Sequence, residues 1–186
     1  MPTYDAELLA ASRRLLARRS GQRGPLPSAR IRRSISTTYY AIFHFVLEEV
    51  GIRVIGTSNK LRTRRRILAR LISHKGTLTA LNKVRGTHVD ASIEDFLHPA
   101  GGAVGRVVTP MFVQDLAKAF SDAQAKRHDA DYDMNKQLSE TDARLLRTRV
   151  GRVIENWRAA TTPADRDMKH ALCVLMLMKG QLRPEA

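Results

Sequence analysis

The chain is organised around residues 30–50, which read RIRRSISTTYYAIFHFVLEEV. Apolar side chains recur there every three or four residues, the period of a helix that buries one face. The apolar positions are Ile31, Ile35, Tyr39, Ile42, Val46 and Val50. This pattern predicts a helix with one side in a core. It should end near Gly51, because glycine is suited to a helix C-terminus.

A second line of residues on the same predicted helix is polar. Arg33, Thr37, Tyr40 and His44 lie three or four residues apart and therefore share one strip of surface. Tyr and His each combine an apolar body with a hydrogen-bonding tip, unlike the Lys and Glu of an ordinary outer face. The strip predicts either a ligand surface or a satisfied contact with another helix.

The composition favours an all-α protein. Ala, Leu and Arg are plentiful and aromatic residues make up only 5% of the chain, while alternating β-branched stretches are scarce. We expect an up-and-down bundle of about four to five helices over residues 1–160. An appended C-terminal helix over residues 161–186 should pack on the bundle or on a second subunit, since residues 171–178 are apolar on all sides.

Local signals place the other helices. The pattern predicts a first helix from Thr3 to about Arg19, a basic helix over residues 61–76, a short helical segment over residues 77–83 and a long helix after Pro110. Capping boxes at residues 139–142 and 162–165 predict two further helix starts. Residues 85–110, with four glycines and two prolines, are the least helical part.

Positive charge is concentrated in the first part of the chain. The net charge is +14, and residues 1–70 hold fourteen Arg and one Lys against four acidic residues. Such a field favours RNA, DNA or an acidic protein as a partner, although a compositional preference for Arg would give the same excess. The densest cluster, predicted to contact nucleic acid, is Arg62, Arg64, Arg65, Arg66 and Arg70. The residues of the same helix that should face inward are Leu61, Ile67 or Leu68, Leu71 and Ile72.

Several classes of function find no support in the sequence. The single cysteine, Cys173, excludes an intramolecular disulfide and favours a reducing compartment such as the cytoplasm. It lies in an apolar run of eight residues, which predicts an inert buried thiol and is too short to span a membrane. The six histidines have no metal-site spacing, so no metal or other cofactor is expected.

Three blocks of sequence resemble a known family. Residues 35–45 read ISTTYYAIFHF, residues 73–76 read SHKG and residues 127–133 read RHDADYD. In this order they resemble the HEPN superfamily (higher eukaryotes and prokaryotes nucleotide-binding domains). They are similar in particular to small bacterial and archaeal members with an AYYAxFHA helix, a T-H-x-G segment and an R-x-x-A-D-Y-x helix. The resemblance covers roughly residues 5 to 160.

This resemblance implies an all-α bundle in which the first block lies near the third. It also implies RNA or a nucleotide as ligand, a nucleotidyltransferase as partner protein, often in a toxin–antitoxin system, and a homodimer. The residues expected to bind the ligand are Arg33, Tyr40, His44, Arg127, Asp131 and Tyr132. Arg127 and Asp131 are four residues apart, so a local ion pair on one helix would also explain their spacing. Where the helices of the first and third blocks meet, we expect Asp131 to be buried and to need Arg127 as its partner.

Several branches of the family are metal-independent ribonucleases that use an Arg, four to six intervening residues and a His. None of the six histidines here has an Arg at that distance, so no catalytic residue is assigned firmly. A ribonuclease would use Arg127 to stabilise a pentacovalent phosphate and His44 or His128 as general base across a dimer cleft. A non-catalytic structural adaptor for an acidic protein is the third hypothesis.

Overall fold

A computed structural model of the protein describes residues 3–18, 21, 23–98 and 105–179. These residues form an all-α helical bundle, which confirms the predicted class. The eight helices in the described part are α1 Tyr4–Leu15, α2 Ser28–Ile55, α3 Arg62–Ala69, α4 His74–Asn82, α5 Glu94–Leu97, α6 Met111–Tyr132, α7 Glu140–Ala159 and α8 Pro163–Leu177. Arg19 and residues 180–186, assigned to helices from the sequence, lie outside the described residues.

Helix α2 has the predicted buried face, but it is longer than predicted. Every apolar position of the 31–50 pattern is at most 7% exposed. The expected end at Gly51 is wrong, because α2 continues to Ile55 and Gly56 adopts the left-handed conformation at φ +105°. Gly51 is instead buried against the stem of Arg65. It is a site of close packing rather than a helix stop.

Helix α3 is shorter than the basic helix predicted over residues 61–76, and α4 begins three residues before the short helical segment predicted over residues 77–83. Residues 74–76 begin α4 instead of ending α3, because the Ser73 hydroxyl accepts a hydrogen bond from the Gly76 N–H at 3.0 Å and caps the new helix. Of the apolar residues expected to face inward, Ile72 is buried. Ile67 and Leu71 are 59% and 61% exposed, so that assignment is wrong for both. Leu61 and Leu68, the second of which is the alternative to Ile67, are half-buried.

Both predicted capping boxes are present. In the first, the Ser139 hydroxyl accepts from the Asp142 N–H, and the Asp142 carboxylate accepts from the Ser139 N–H. Thr162 and Asp165 make the same reciprocal pair at the start of α8. Helix α6 begins directly after Pro110, as predicted.

Contacts divide the chain into two compact units, and the first comprises Met1–Phe45 with Ala119–Glu155. In this unit α1 lies close to α2, because the Ser12 hydroxyl is 2.8 Å from the hydroxyls of both Ser34 and Thr38. Small hydroxyl side chains permit this close approach and satisfy one another's hydrogen bonds in the core. On the α6 side, the ring of Tyr39 packs edge-to-face on Phe120 at 5.8 Å.

The second unit comprises Val46–Lys118 with Asn156–Ala186. Its core holds Trp157, whose indole N–H donates to Glu49 at 2.7 Å and whose ring meets Phe112 edge-to-face at 5.5 Å. Helix α8 packs on α4 and α5 in this unit, and its Cys173 thiol is fully buried. Burial raises the pKa of Cys173 to about 12, which agrees with the predicted inert thiol. The predicted division of the chain at residue 160 stays a prediction.

Several of the cations that produce the net charge cap helix C-termini by donating to backbone carbonyls there. The donors are Arg30 and Arg144 at α1, Arg32 at α6, Arg65 at α2 and Lys169 at α7. Arg32 alone donates to five carbonyls at 2.7–3.4 Å, those of Asp129, Ala130, Asp133, Met134 and Lys136. Part of the basic excess therefore stabilises the fold.

Residues 85–110 carry little regular structure, as predicted. Their described part holds α5 and an isolated antiparallel bridge between His88 and Val108, while residues 99–104 lie outside the described part. None of the helices that the structure describes combines the length and the apolar character needed to cross a membrane.

Candidate ligand-binding site

The polar strip of α2 lines a pocket in the first unit. Arg33, Thr37, Tyr40 and His44 all border one cavity of about 280 Å³. The remaining lining residues are Ser36 of α2 and Tyr4 and Leu8 of α1. The helical spacing thus brings a cation, a hydroxyl, a phenol and an imidazole to a single concave surface.

Aromatic rings form one wall of the pocket around His44. The Tyr4 ring stands edge-on to the imidazole, with 4.8 Å between ring centroids, and the Tyr40 ring is 6.5 Å away. His44 is half-buried, and this burial lowers the pKa of its imidazole. A neutral imidazole has one donor and one acceptor nitrogen at neutral pH, which suits recognition of an uncharged polar group.

Arg33 supplies positive charge at the rim. Its side chain is exposed, and its guanidinium makes no hydrogen bond or ion pair within the described part of the chain. The nearby Thr37 hydroxyl donates to the Arg33 carbonyl at 2.7 Å, so its lone pairs remain available as acceptors. Arg33 is the group at the pocket that is free to meet an anion.

Arg127 of α6 is held against the α2 tyrosines. Its Nη2 donates to the Tyr40 hydroxyl at 3.3 Å and to the Tyr132 hydroxyl at 3.4 Å, and its Nε donates to Asp131 at 2.7 Å. The guanidinium also lies 5.5–5.7 Å from the ring centroids of Tyr39, Tyr40 and Tyr132, within the range of cation–π attraction. These contacts position the Tyr40 ring.

Asp131 joins the two helices from the α6 side. Its carboxylate accepts hydrogen bonds from Arg127 and from the hydroxyl of Ser36 on α2. The expectation of a buried carboxylate is wrong, since the Asp131 side chain is 28% exposed and that of Arg127 is 21% exposed. The local ion pair expected from the four-residue spacing is present, and the hydrogen bond from Ser36 helps to hold its carboxylate in place.

The candidate catalytic groups are not assembled in this single chain. Arg127 makes its hydrogen bonds and ring contacts with tyrosines and Asp131, and among the described residues it makes no hydrogen bond or ring contact with His44 or His128. His128 is exposed and packs on Tyr132 at 5.3 Å. Nor do the described residues contain a group of three His, Cys, Asp or Glu side chains able to hold a metal ion.

No family model matches the chain, and the curated proteins and solved structures compared with it include no significant match. The resemblance to HEPN proteins therefore rests on the sequence blocks alone. Two of those blocks, on α2 and α6, supply the residues that meet around Arg127.

A second cavity continues from the pocket along α1 and α2. It measures about 700 Å³ and shares Leu8, Arg33 and Thr37 with the first. Four arginines line it: Arg14, Arg18, Arg30 and Arg33. Arg30 caps α1, and Arg18 is paired with Glu140, whereas the Arg14 and Arg33 side chains have no polar partner in the described part.

The α1 contribution to this site was missed from the sequence. Tyr4, Leu8 and Arg14 belong to a helix whose pattern indicates only a packing face and a basic face. Their one visible signal is an aromatic residue, Tyr4, at the start of an amphipathic helix. Which part of α2 they would meet depends on how the two helices pack.

The five arginines predicted to contact nucleic acid do not all have the same structural role. Arg65 donates to the carbonyls of Gly56 at 2.6 Å and Ser58 at 3.0 Å, so it serves the fold. The other four members, Arg62, Arg64, Arg66 and Arg70, are exposed.

Proposed function

We propose that this protein is an HEPN-like helical domain that binds a nucleotide unit, free or within an RNA strand, in the α2 pocket. One observation carries the proposal: the unpaired guanidinium of Arg33 and the Tyr4, Tyr40 and His44 rings line the same pocket. A nucleotide presents the matching pair of groups, an anionic phosphate and a flat base.

Each group has a chemical role in this proposal. Arg33 pairs with the phosphate, because a guanidinium can donate two parallel hydrogen bonds to phosphate oxygens. The Tyr4 or Tyr40 ring packs against the base, an interaction that all bases offer. His44, kept neutral by burial, hydrogen-bonds to a base edge or a ribose hydroxyl. Arg127 acts indirectly by holding Tyr40 in place.

The size and charge of the site agree with this ligand. A cavity of about 280 Å³ is at the small end of the range for ligand pockets, which suits one nucleotide unit. The adjoining cavity with Arg14 and Arg33 offers space and charge for further phosphates if the ligand is a strand. A nucleotidyltransferase partner, a toxin–antitoxin setting and a homodimer belong to the proposal through the HEPN resemblance.

The test compares AMP with short single-stranded RNA by calorimetry at low salt and in EDTA. Arg33→Gln should weaken binding about tenfold, equivalent to ~1.4 kcal/mol. Arg152→Gln is the matched control, because Arg152 is exposed on α7 and lines neither cavity. Thermal melts of both variants should coincide with that of the parent.

The two ligands distinguish a nucleotide site from an RNA site. Equal affinities would identify a mononucleotide ligand, whereas a large advantage for RNA that declines with salt would identify a strand. RNA cleavage in EDTA that is lost in Arg127→Ala would establish the ribonuclease alternative instead. Absence of binding to both ligands, or unchanged binding in Arg33→Gln, would refute the proposal.

A further inference from the structure

Helix α3 and the turn after it present an unusual combination of exposed side chains. Ile67 on α3 and Leu71 in the turn directly after it are 59% and 61% exposed. The turn continues the coil of α3, because the Arg70 and Leu71 N–H groups donate to the carbonyls of Ile67 and Leu68. Arg64 and Arg70 are three residues from Ile67 on either side. We name these four residues, Arg64, Ile67, Arg70 and Leu71, the α3 patch.

Contacts of Arg65 hold the inner side of α3 in the second unit, so the fold sets the position of the α3 patch. Arg65 is two positions from Ile67 and so lies on nearly the opposite side of the helix. It donates to the carbonyls of Gly56 and Ser58. Its stem packs so closely on Gly51 that a Cβ added there would be 3.3 Å from the Arg65 Cδ. This anchorage holds the α3 patch towards solvent.

The charges of the α3 patch are uncompensated within the chain. Neither Arg64 nor Arg70 forms an ion pair or hydrogen bond through its side chain in the described part, and the same holds for the adjacent Arg62 and Arg66. Mutual repulsion between these guanidiniums disfavours their clustering unless anions are near. Two exposed aliphatic side chains in their midst add an apolar surface that water solvates poorly.

We propose that the α3 patch is the docking surface for an acidic amphipathic helix of a partner protein. Apolar residues of such a helix would cover Ile67 and Leu71, and its flanking carboxylates would pair with Arg64 and Arg70. The pattern of an apolar stripe bordered by charge is the usual complement of an amphipathic helix. This proposal is independent of the ligand pocket on α2.

Two other occupants fit the same surface less well. An RNA backbone would pair with the arginines, but its phosphates gain nothing from Ile67 and Leu71 and would lose hydration beside them. A lipid surface binds amphipathic helices that bury long apolar faces, often of roughly 20–30 residues. Helix α3 has eight residues, and the α3 patch offers only two apolar anchors.

The test uses a fluorescent synthetic peptide with leucines at i, i+4 and i+7 and glutamates beside them. A scrambled peptide of the same composition keeps the charge and loses the stripe. We expect the full-length protein to bind the patterned peptide at least about tenfold more tightly than the scrambled one, a difference of ~1.4 kcal/mol or more. Single-stranded RNA and anionic phospholipid vesicles are assayed in parallel.

Surface variants separate apolar from electrostatic contributions without disturbing the core. Ile67→Ser/Leu71→Ser and Arg64→Ser/Arg70→Ser should each weaken patterned-peptide binding about tenfold or more, and the arginine variant should also reduce the salt dependence. Leu145→Ser is the control, because Leu145 is 65% exposed on α7, and it should bind like the parent.

Four outcomes would overturn the inference. They are no binding of the patterned peptide, equal binding of the scrambled peptide, parent-like binding by Ile67→Ser/Leu71→Ser, and binding of RNA or vesicles that this same variant abolishes. None of them bears on nucleotide binding at Arg33, so the two proposals succeed or fail separately.

Discussion

Replacing Arg127 with alanine tests whether the cluster between α2 and α6 serves stability or ligand binding. The substitution removes hydrogen bonds to Asp131, Tyr40 and Tyr132 and three cation–π contacts. It does not strand a buried carboxylate, because the Asp131 side chain is 28% exposed and keeps the hydrogen bond from Ser36. The loss of ~3–5 kcal/mol typical of a broken buried ion pair therefore does not apply.

The magnitude follows from the remaining contacts. A partly exposed ion pair four residues apart contributes about 0.5 kcal/mol, and each cation–π contact about 0.5–1 kcal/mol. Because contacts of one group are not additive, we expect Arg127→Ala to lower the free energy of unfolding by about 2 kcal/mol. For a chain of this size that corresponds to a fall in Tm of roughly 4–8 °C.

Asp131→Asn should cost less, below about 1 kcal/mol, because the amide oxygen can still accept hydrogen bonds. Thermal melts of both variants, followed by circular dichroism, measure the difference. Arg152→Ala on the exposed face of α7 is the control and should melt within about 1–2 °C of the parent. Nucleotide affinity is measured on the same samples, and Arg127→Ala should weaken it because the Tyr40 ring loses its support.

Two results would refute this reasoning about Arg127. A parent-like melt with parent-like binding would mean that the cluster serves neither stability nor the site. A fall in Tm beyond about 15 °C would show that the side chains behave as a fully buried pair, contrary to the exposures on which the magnitude rests.

The other two predictions concern helix ends. Arg32→Met should lower the free energy of unfolding by about 2–4 kcal/mol, since the charged donor to five carbonyls in the last turn of α6 and directly after it is lost. A denaturant titration in which it matches the control Arg33→Met would contradict the capping role. The hydrogen bond from the Ser139 hydroxyl, with further help from Lys126, lowers the pKa of Asp142 from 3.8 to about 2, so its stabilisation is present above pH 3.8 and disappears as the pH falls towards 2. Asp142→Asn should accordingly be less stable than the parent near neutral pH, and the difference should shrink as the pH falls from 3.8 through about 2; an unchanged difference across this range would contradict the assignment.

The sequence alone determined the features that depend on neighbours along the chain. The 31–50 apolar pattern predicted the buried face of α2, and the polar strip from Arg33 to His44 predicted which side chains share a surface. The two capping boxes predicted the starts of α7 and α8. These features follow from helical periodicity and from hydrogen bonds that span three residues, both of which are readable in one dimension.

Tertiary structure decided which of several locally acceptable choices was realised. Gly51 and Gly56 are both suitable helix ends, and the packing of Arg65 on Gly51 accompanies the continuation of α2 to Ile55. Likewise, an amphipathic pattern made Ile67 an inward residue, but the anchorage of Arg65 turned the opposite side of α3 inward and left Ile67 exposed.

The residues of the candidate site were likewise predicted in part from the sequence and identified in part only from the structure. The sequence supplied Tyr40, His44 and Arg127 as candidates, while the contributions of Tyr4 and Ser36 required the structure. The use of Arg32 as a helix cap could not be read from its neighbours, because the carbonyls that it binds are about 100 residues away along the chain. The packing of the helices decides which side chain comes within hydrogen-bonding distance of a helix-end carbonyl and which residues line a pocket. This proximity exists only after the chain has folded.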